Sequence, residues 1–349
     1  YWYPTDLSRN WTNVNVPAVH WGGWYDFFNK GTLASFNGYH YLGGPGARGS
    51  SYLIMSPGGH CPTGEYPWPA NSFSNIAFNI GFALFQAVAA GEDPNSIGYH
   101  HIILYVMGSS TVDPLQTPSG NFWICTDEWP AVVLTPMYLN TERRLSQAPP
   151  AGANSMTIVA DPSIPVETVG GDNLIWPSCG PWDQRAVERR YDVVSFDSAP
   201  LTEPLAIVGN VSLTIFISST AVDTDIVAKV VDVYQDGTAY NVLDNGLRMR
   251  WRESDEVPTF MEPGVVYEVT IDLFSTAYVF DAGHTIRLDL TSSNYPRFSL
   301  NRNNGQLLAE SNGENIIAYN TLHYGNTYVS ALNLPVVNFD GLKLLECQP

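Results

Sequence analysis

The chain contains 349 residues, a length that suits about two domains with separate cores. Its apolar content of 44% and aromatic content of 13% exclude a disordered chain. The 34 acidic residues outnumber the 16 basic ones and give a formal net charge of −18. Because a surface of this sign repels phosphate backbones and anionic lipids, we expect neither nucleic acids nor membranes as partners.

The first part of the chain alternates between strand patterns and helix patterns. Short apolar runs indicate buried strands, and apolar residues at helical spacing indicate the helices between them. The predicted elements are strands at residues 14–21, 51–56 and 101–107, helices at residues 27–41 and 74–90, and a long loop at residues 57–69. This order is typical of a parallel sheet with helices on its faces, the α/β class.

The second part of the chain has almost no helical spacing. From about residue 134, proline-rich loops and turns separate short stretches in which apolar and polar residues alternate. Asp236-Gly237 and Asn245-Gly246 are typical of tight turns between strands. The pattern predicts an all-β sandwich of jelly-roll type.

Two polar residues directly follow predicted strands of the first part. Asp26 comes after the first strand and His60 after the second, and the carboxyl ends of neighbouring parallel strands share one edge of a sheet. An acid followed by a histidine is the order of the last two members of an α/β-hydrolase triad. We predict that His60 is the general base and that Asp26 fixes its tautomer. The alternative is that Asp26 only caps a turn and His60 has no role.

Four aromatic residues surround the predicted acid, namely Trp24, Tyr25, Phe27 and Phe28. They are candidates for the walls of a substrate pocket that holds an acyl group. Large aromatic side chains beside a strand also pack helices onto sheets. The sequence leaves both interpretations open.

Several segments resemble the CocE/NonD family of serine hydrolases, which includes cocaine esterases, α-amino-acid ester hydrolases and X-Pro dipeptidyl-peptidases. The segments that carry the resemblance are Gly22-Gly23-Trp24-Tyr25-Asp26, Pro57-Gly58-Gly59-His60, Gly180-Pro181-Trp182-Asp183-Gln184-Arg185 and Ser292-Ser293-Asn294-Tyr295-Pro296. The resemblance covers nearly all of the chain, and its segments keep the order of the family. Ser56 departs from the pattern, because the family usually has glycine at that position.

The resemblance implies a C-terminal part of an α/β-hydrolase domain at residues 1–133 and a jelly-roll β-sandwich domain of X-Pro dipeptidyl-peptidase C-terminal type at residues 134–349. It also implies that Asp26 and His60 are the triad acid and base. The family's serine lies upstream of the acid in a Gly-x-Ser-Tyr-x-Gly segment, and no Gly-x-Ser-x-Gly occurs in this chain. We therefore expect an upstream hydrolase segment to supply the serine, and we expect the chain to be inactive alone.

Three functions are compatible with these observations. The first is a secreted serine hydrolase that cleaves a small ester or amide by a Ser-His-Asp mechanism, which requires no cofactor. The second is a non-catalytic structural or binding protein derived from this family. The third is an X-Pro dipeptidyl-peptidase, which the shared motifs do not distinguish from an esterase.

The acidic residues of the second part do not follow the calcium-loop pattern. The residues concerned are Asp223, Asp225, Asp232, Asp236 and Asp244. We predict that they lie at solvated strand ends and turns, and we expect no metal site.

The four cysteines are Cys61, Cys125, Cys179 and Cys347, and they lack the CxxC spacing of zinc sites. They allow three disulfide pairings, among which the sequence does not choose. Their even number, the acidity of the chain and its few lysines favour an extracellular protein. The sequence leaves a homo-oligomer open.

Overall fold

The computed structural model describes residues 6–60, 75–110, 115–175, 179–307 and 313–347. Most of the loop predicted at residues 57–69 lies outside these ranges, and so does Cys61. The described residues form two sheets, one of four strands and one of eleven.

The four-stranded sheet forms the first part of the fold. Its strands are β1 (Val19–Tyr25), β2 (Tyr52–Gly59), β3 (Ile102–Val106) and β4 (Phe122–Thr126), which neighbour each other in this order. The first three pair in parallel, and β4 is antiparallel to β3. Between them lie α1 (Asn29–Asn37), which continues into a π-helical turn at Gly38–Leu42, and α2 (Ile76–Ala90). The order of strands and helices is the predicted one.

The structure corrects the bounds of the first two strands. β1 begins at Val19 rather than at residue 14, because Trp11–Asn13 forms a 3-10 helix and the Val14 carbonyl accepts a hydrogen bond from the Gly44 amide (2.7 Å). β2 continues beyond residue 56 to Gly59, so the start of the predicted loop belongs to the strand. The second strand therefore ends directly before His60.

The eleven-stranded sheet forms the second part of the fold. Its strands are β5 (Val132–Asn140), β6 (Arg144–Ser146), β7 (Ala153–Ala160), β8 (Val194–Asp197), β9 (Leu205–Ser219), β10 (Asp225–Val233), β11 (Ala239–Arg248), β12 (Tyr267–Phe280), β13 (Thr285–Thr291), β14 (Ala318–Gly325) and β15 (Ala331–Val337). Neighbouring strands follow the path β11-β10-β13-β8-β6-β5-β15-β9-β14-β7, and β12 pairs with β9. All of these pairs are antiparallel except β6 with β8.

Short helices connect the remaining segments. Two are α-helical, α3 (Arg185–Glu188) and α4 (Phe339–Lys343). Further 3-10 turns lie at Leu7–Arg9, Pro94–Ile97, Thr141–Arg143 and Met249–Trp251. Among the helices that the structure describes, none is long and apolar enough to cross a membrane.

One of the two predicted tight turns is confirmed and the other is wrong. Asp236-Gly237 connects β10 to β11, with φ of +85° at Gly237. Asn245-Gly246 lies inside β11 instead, paired with β10. Close packing surrounds the glycine there, because a Cβ at Gly246 would lie 3.1 Å from the Val227 side chain.

A continuous hydrophobic core joins the two sheets. Met107, which follows β3, donates its amide hydrogen to the Ala277 carbonyl of β12 and accepts a hydrogen bond from the Val279 amide, both at 2.9 Å. The end of β3 is therefore bonded directly to the second sheet. The position of the first sheet relative to β12 is fixed by these bonds and by the shared core.

The prediction that the acidic residues of the second part are solvated is wrong for four of the five. Asp223, Asp225, Asp232 and Asp244 are buried, and only Asp236 is exposed. The buried carboxylates have specific partners: Arg250 contacts Asp223, Arg248 contacts Asp225, His284 contacts Asp232, and Arg297 contacts Asp244. Since burying a charge is unfavourable unless it is paired, the pairing explains how these acids are accommodated. Within the described ranges, no group of three His, Cys, Asp or Glu residues is arranged to hold a metal ion.

A disulfide connects β4 to the last described residues. Cys125 and Cys347 are bonded with an S–S distance of 2.07 Å, across 222 positions of sequence. The amide of Cys347 also donates to the Trp123 carbonyl (2.9 Å), so the segment after α4 lies alongside β4. The structure thereby identifies one pairing that the sequence left open.

Replacing both Cys125 and Cys347 by serine is expected to lower the free energy of unfolding by roughly 2–5 kcal/mol. The bond closes a very long loop, and its loss releases conformational entropy in the unfolded chain. Urea denaturation of the native and double-serine proteins measures the difference. Equal denaturation midpoints would show that the disulfide does not stabilise the fold.

A carboxyl pair formed by Glu188 of α3 and Asp289 of β13 is expected to make stability depend on pH. Burial, together with the charge of Asp289, raises the pKa of Glu188 to about 7, although Arg287 (2.8 Å) opposes the change. The folded protein then holds a proton that the unfolded chain, with its usual Glu pKa of 4.5, releases earlier. This stabilising contribution is present below the unfolded pKa and is lost as the pH rises through the folded one.

Thermal denaturation between pH 4.5 and 8 tests this expectation, with the window taken from the two pKa values of Glu188. The Glu188→Gln variant, which stays neutral, is expected to lose less stability across that window than the native protein. Glu203→Gln, at an exposed position, serves as the control and should behave like the native protein. An undiminished pH dependence in Glu188→Gln would contradict the assignment.

Candidate active site

The carboxyl ends of β1 and β2 approach closely because both carry glycine. A Cβ at Gly23 would lie 2.0 Å from the Gly58 carbonyl oxygen, and one at Gly59 would lie 2.7 Å from the Tyr25 carbonyl oxygen. Only glycine permits such contacts. The pairing register also shifts between Gly23 and Tyr25, an irregularity of the kind that redirects the chain at functional edges. The residues that follow the two strands are thereby brought side by side.

Asp26 is held in place by its own turn. Its Oδ1 atom accepts a hydrogen bond from the Phe28 amide (2.9 Å). Its amide donates to the Gly23 carbonyl (3.1 Å), and its carbonyl accepts from the Asn29 amide (2.8 Å). The carboxylate is 15% exposed, and its Oδ2 atom lies 3.3 Å from Nδ1 of His60.

His60 directs its ring towards this carboxylate and remains half-exposed, at 52%. The rings of Phe27 and Phe28 contact it edge-on, with centroid distances of 5.2 and 5.6 Å. Within the described residues, hydrogen bonding of the imidazole is confined to Nδ1. A proton on Nδ1 that is donated to Asp26 leaves Nε2 as an acceptor, which can take a proton from a hydroxyl group.

The four aromatic candidates divide into two pairs. Trp24 and Tyr25 are buried in the core, where the Trp24 indole donates to the Tyr105 carbonyl (2.7 Å) and the Tyr25 hydroxyl donates to the Asn241 carbonyl (2.8 Å). Phe27 and Phe28 lie beside the imidazole instead. The first pair stabilises the fold, and only the second pair is available to contact a molecule at His60.

A cleft of about 390 Å³ begins next to the predicted pair, at Phe27. Most of its lining comes from the second part of the chain: Asp172, Asn173, Leu174, Ile175, Asn245, Phe274, Pro296, Arg297 and Phe298. Asp172 and Asp244 share Arg297. Burial raises the pKa of Asp172 to about 8, with a further contribution from Asp244, against the lowering effect of Arg297. The cleft is therefore apolar along most of its walls, and the charged side chains of Asp172 and Arg297, which is also paired with Asp244, lie together at one part of it.

Sequence reasoning did not find these cleft residues. They lie more than a hundred positions from Asp26, and nothing in their local pattern distinguishes them from other strand and loop residues. Their proximity to Phe27 depends on how the two sheets pack. Of this wall, the sequence singled out only Asn245, in a predicted turn, and Pro296, in a segment that carries the family resemblance, and neither was predicted to line a site.

Two other histidines also lie next to an aspartate, and they differ from His60 in how exposed the two side chains are. His100 lies 3.1 Å from Asp127 with both side chains exposed, and His284 lies 2.9 Å from Asp232 with both fully buried. The His60 pair differs from both, because its acid is shielded while its imidazole is open. It is also the pair that lies at the carboxyl edge of the parallel strands. Among the described residues, no serine hydroxyl is hydrogen-bonded to the His60 ring.

Comparison with known proteins identifies the family. The family model of the X-Pro dipeptidyl-peptidase C-terminal non-catalytic domain matches residues 99–333. This match covers β3 and β4 as well as most of the second sheet. The chain belongs to that domain family, and it is similar to proteins of the CocE/NonD hydrolase family.

One relative and two solved structures are similar to most of the chain. Cocaine esterase from Rhodococcus sp. (strain MB1 Bresler) is 32% identical over 355 residues, which covers 96% of this chain and 59% of that protein. An aminopeptidase from a marine sediment Thaumarchaeota archaeon has a similar structure, with a TM-score of 0.80, 19% identity, and coverage of 97% of this chain and 58% of that one. An α-amino acid ester hydrolase has a TM-score of 0.75, 21% identity, and coverage of 96% and 58%. The chain spans less than two thirds of the length of each of these proteins.

Proposed function

We propose that this chain carries the acid and the base of a secreted serine hydrolase that cleaves acyl ester or amide bonds. The observation that supports the proposal best is the hydrogen bond between His60 Nδ1 and Asp26 Oδ2, with the imidazole open on its other side. In this proposal a segment upstream of Asp26 supplies the serine. The Cys125–Cys347 disulfide favours secretion, because such bonds persist in oxidising compartments.

The proposed mechanism assigns one step to each group. The serine hydroxyl attacks the substrate carbonyl carbon while Nε2 of His60 takes its proton. Asp26 stabilises the imidazolium and keeps the ring in the required tautomer. The imidazolium then gives the proton to the leaving alcohol or amine as its bond to the carbonyl carbon breaks, which leaves an acyl-serine. Water attacks this acyl group while Nε2 takes a proton from the water, and return of that proton to the serine oxygen releases the acid. The rings of Phe27 and Phe28 beside the imidazole limit its contact with water.

The proposed architecture divides the chain at its two sheets. We infer a C-terminal part of an α/β-hydrolase domain at residues 1–133 and a jelly-roll sandwich at residues 134–349. The change from the parallel strands β1–β3 to the antiparallel pairing of β5–β15 supports this division. The cleft between Phe27 and the second sheet suits a small ester or amide with an apolar group.

Labelling of the full-length protein with a fluorophosphonate tests the proposal. Such a probe reacts with a serine only where a base activates it. Intact mass before and after labelling, followed by peptide mapping, should identify one modified serine outside this chain. The label should be absent from a His60→Ala variant. No labelling of the native protein would favour the alternative of a non-catalytic binding protein, which the match to a non-catalytic domain family supports.

A second candidate is an X-Pro dipeptidyl-peptidase. The match of residues 99–333 to the C-terminal domain family of those enzymes supports it. The two activities separate on a panel of p-nitrophenyl esters and X-Pro anilides. Preference for the esters supports the esterase, and preference for the anilides supports the peptidase. The same His60 and Asp26 pair would serve either reaction.

A further inference from the structure

Strand β12 contains a bulge that lies against the start of α1. The pairing register of β12 with β9 shifts between Asp272 and Ser275, which leaves two residues of β12 opposite one residue of β9. Phe274, inside the bulge, has a φ of +69°. A positive φ of this size is unfavourable for a residue with a bulky side chain. Such backbone strain persists only where the surrounding contacts hold it.

Asp272 provides the contacts that hold the bulge. Its Oδ1 atom accepts hydrogen bonds from the Phe274 amide (3.0 Å) and from Asn210 Nδ2 (2.7 Å). Its Oδ2 atom lies 2.8 Å from Lys30 Nζ, in α1, and its carbonyl accepts from Asn245 Nδ2 (2.8 Å). The bulge is therefore bonded both to two other strands of its own sheet, β9 and β11, and to the helix that follows Asp26.

Asn29, the first residue of α1, connects this bulge to the turn that carries the acid. The side chain is 1% exposed, and its Nδ2 donates to the Ser275 carbonyl and to the Trp24 carbonyl, both at 3.0 Å. Its backbone amide donates to the Asp26 carbonyl (2.8 Å). Since Trp24 precedes Asp26 and Asn29 follows it, these bonds close the turn around the carboxylate and attach it to β12.

An asparagine at this buried position indicates a role for its amide group. The Oδ1 atom of Asn29 is buried and has no hydrogen-bond partner among the described residues. A buried unpaired acceptor is unfavourable, so packing alone does not explain an amide here. The property that the site uses is the pair of Nδ2 hydrogens, one for each carbonyl.

We propose that Asn29 is a positioning residue, which uses the β12 bulge as a fixed point to hold the Asp26 carboxylate against His60. The inference rests on the proposed function and extends it, because it gives the second sheet a part in the acid–base site. The Tyr25 hydroxyl, bonded to the Asn241 carbonyl of β11 (2.8 Å), anchors the same turn on its other side. Loosening the bulge should therefore misalign the acid without removing it.

The first test compares kinetic constants in the full-length protein. Asn29→Ala is expected to lower kcat for a p-nitrophenyl ester by about tenfold to a hundredfold, because small displacements of catalytic groups cost this much. KM should change by less than about twofold, since the residue does not contact substrate. Asn37→Ala, an exposed asparagine at the other end of α1, is the matched control and should match the native protein.

A second variant, in β12, tests the inference in case Asn29→Ala fails to fold. Asp272→Ala removes the carboxylate that holds the bulge at a partly exposed position, and it is expected to lower kcat in the same direction but by less than Asn29→Ala. Circular dichroism and urea denaturation establish that each variant is folded. Native kcat in folded forms of both Asn29→Ala and Asp272→Ala would overturn the inference.

A spectroscopic readout separates this inference from the proposed function. Hydrogen bonding to a carboxylate moves the ring N–H proton of a histidine downfield, and the native protein should show this proton NMR signal for His60 Nδ1. It should move upfield or vanish in Asn29→Ala and in Asp26→Asn, and persist in Asn37→Ala. A signal lost in Asp26→Asn but unchanged in Asn29→Ala would overturn the inference. An absence of any hydrolysis, with the signal changed in Asn29→Ala, would contradict only the proposed function.

Discussion

Replacing His60 by alanine is expected to lower ester turnover by the full-length protein by about four orders of magnitude or more. In the proposed mechanism, this variant lacks the imidazole that takes the proton from the attacking serine. Asp26→Asn should cause a loss of similar size, because an amide in place of the carboxylate favours the wrong imidazole tautomer. Steady-state hydrolysis of a p-nitrophenyl ester measures both variants, with urea denaturation as the check on folding.

His100→Ala is the matched control for this experiment. His100 also lies next to an aspartate, Asp127 (3.1 Å), but that pair is exposed on both sides and away from the candidate site. We expect native turnover in this variant. Turnover within a few-fold of native in His60→Ala would mean that another group is the base.

Asp223→Ala is expected to destabilise the fold by about 3–5 kcal/mol. The carboxylate is fully buried and accepts hydrogen bonds from the Arg250 amide (2.9 Å), the Arg250 Nε (2.8 Å) and Asn301 Nδ2 (2.9 Å). Its removal would leave the buried guanidinium of Arg250 without its counter-charge. The free energy of unfolding, measured by urea denaturation, is expected to show the loss.

The control for this effect is Asp255→Ala, at an exposed position in the same part of the chain. Surface substitutions of this kind usually change stability by less than about 0.5 kcal/mol. If Asp223→Ala changed the unfolding free energy no more than Asp255→Ala, then the Asp223–Arg250 pair would not stabilise the protein. Hydrolytic activity per folded molecule should be native in both variants, since neither residue lies in the candidate site.

The order of strands and helices could be predicted because it depends on local pattern. Asp236-Gly237 forms the predicted turn, since its residues suit that backbone wherever they occur. Asn245-Gly246 has the same local signal but continues a strand, because the neighbouring strand and Phe298 pack closely against the glycine. The packing around each dipeptide therefore decides whether it forms a turn or continues a strand.

The acid and base candidates could also be named from the sequence, because each directly follows a strand. Their separation of 3.3 Å depends on the glycines that let β1 and β2 approach, which no local pattern around Asp26 or His60 indicates. The buried state of Asp223 was not predictable in the same way. Its partner Arg250 is 27 positions away along the chain, and no local pattern indicates that the two side chains meet in the interior of the protein.

A crystal structure of the fluorophosphonate adduct of the full-length protein tests the central claim most directly. We predict that the modified serine carries its Oγ within about 3.5 Å of Nε2 of His60, close to the usual reach of a nucleophile and its base. Nδ1, on the other side of the ring, should retain its hydrogen bond to Asp26. A modified serine far from this imidazole, or a ring turned away from the carboxylate, would contradict the account.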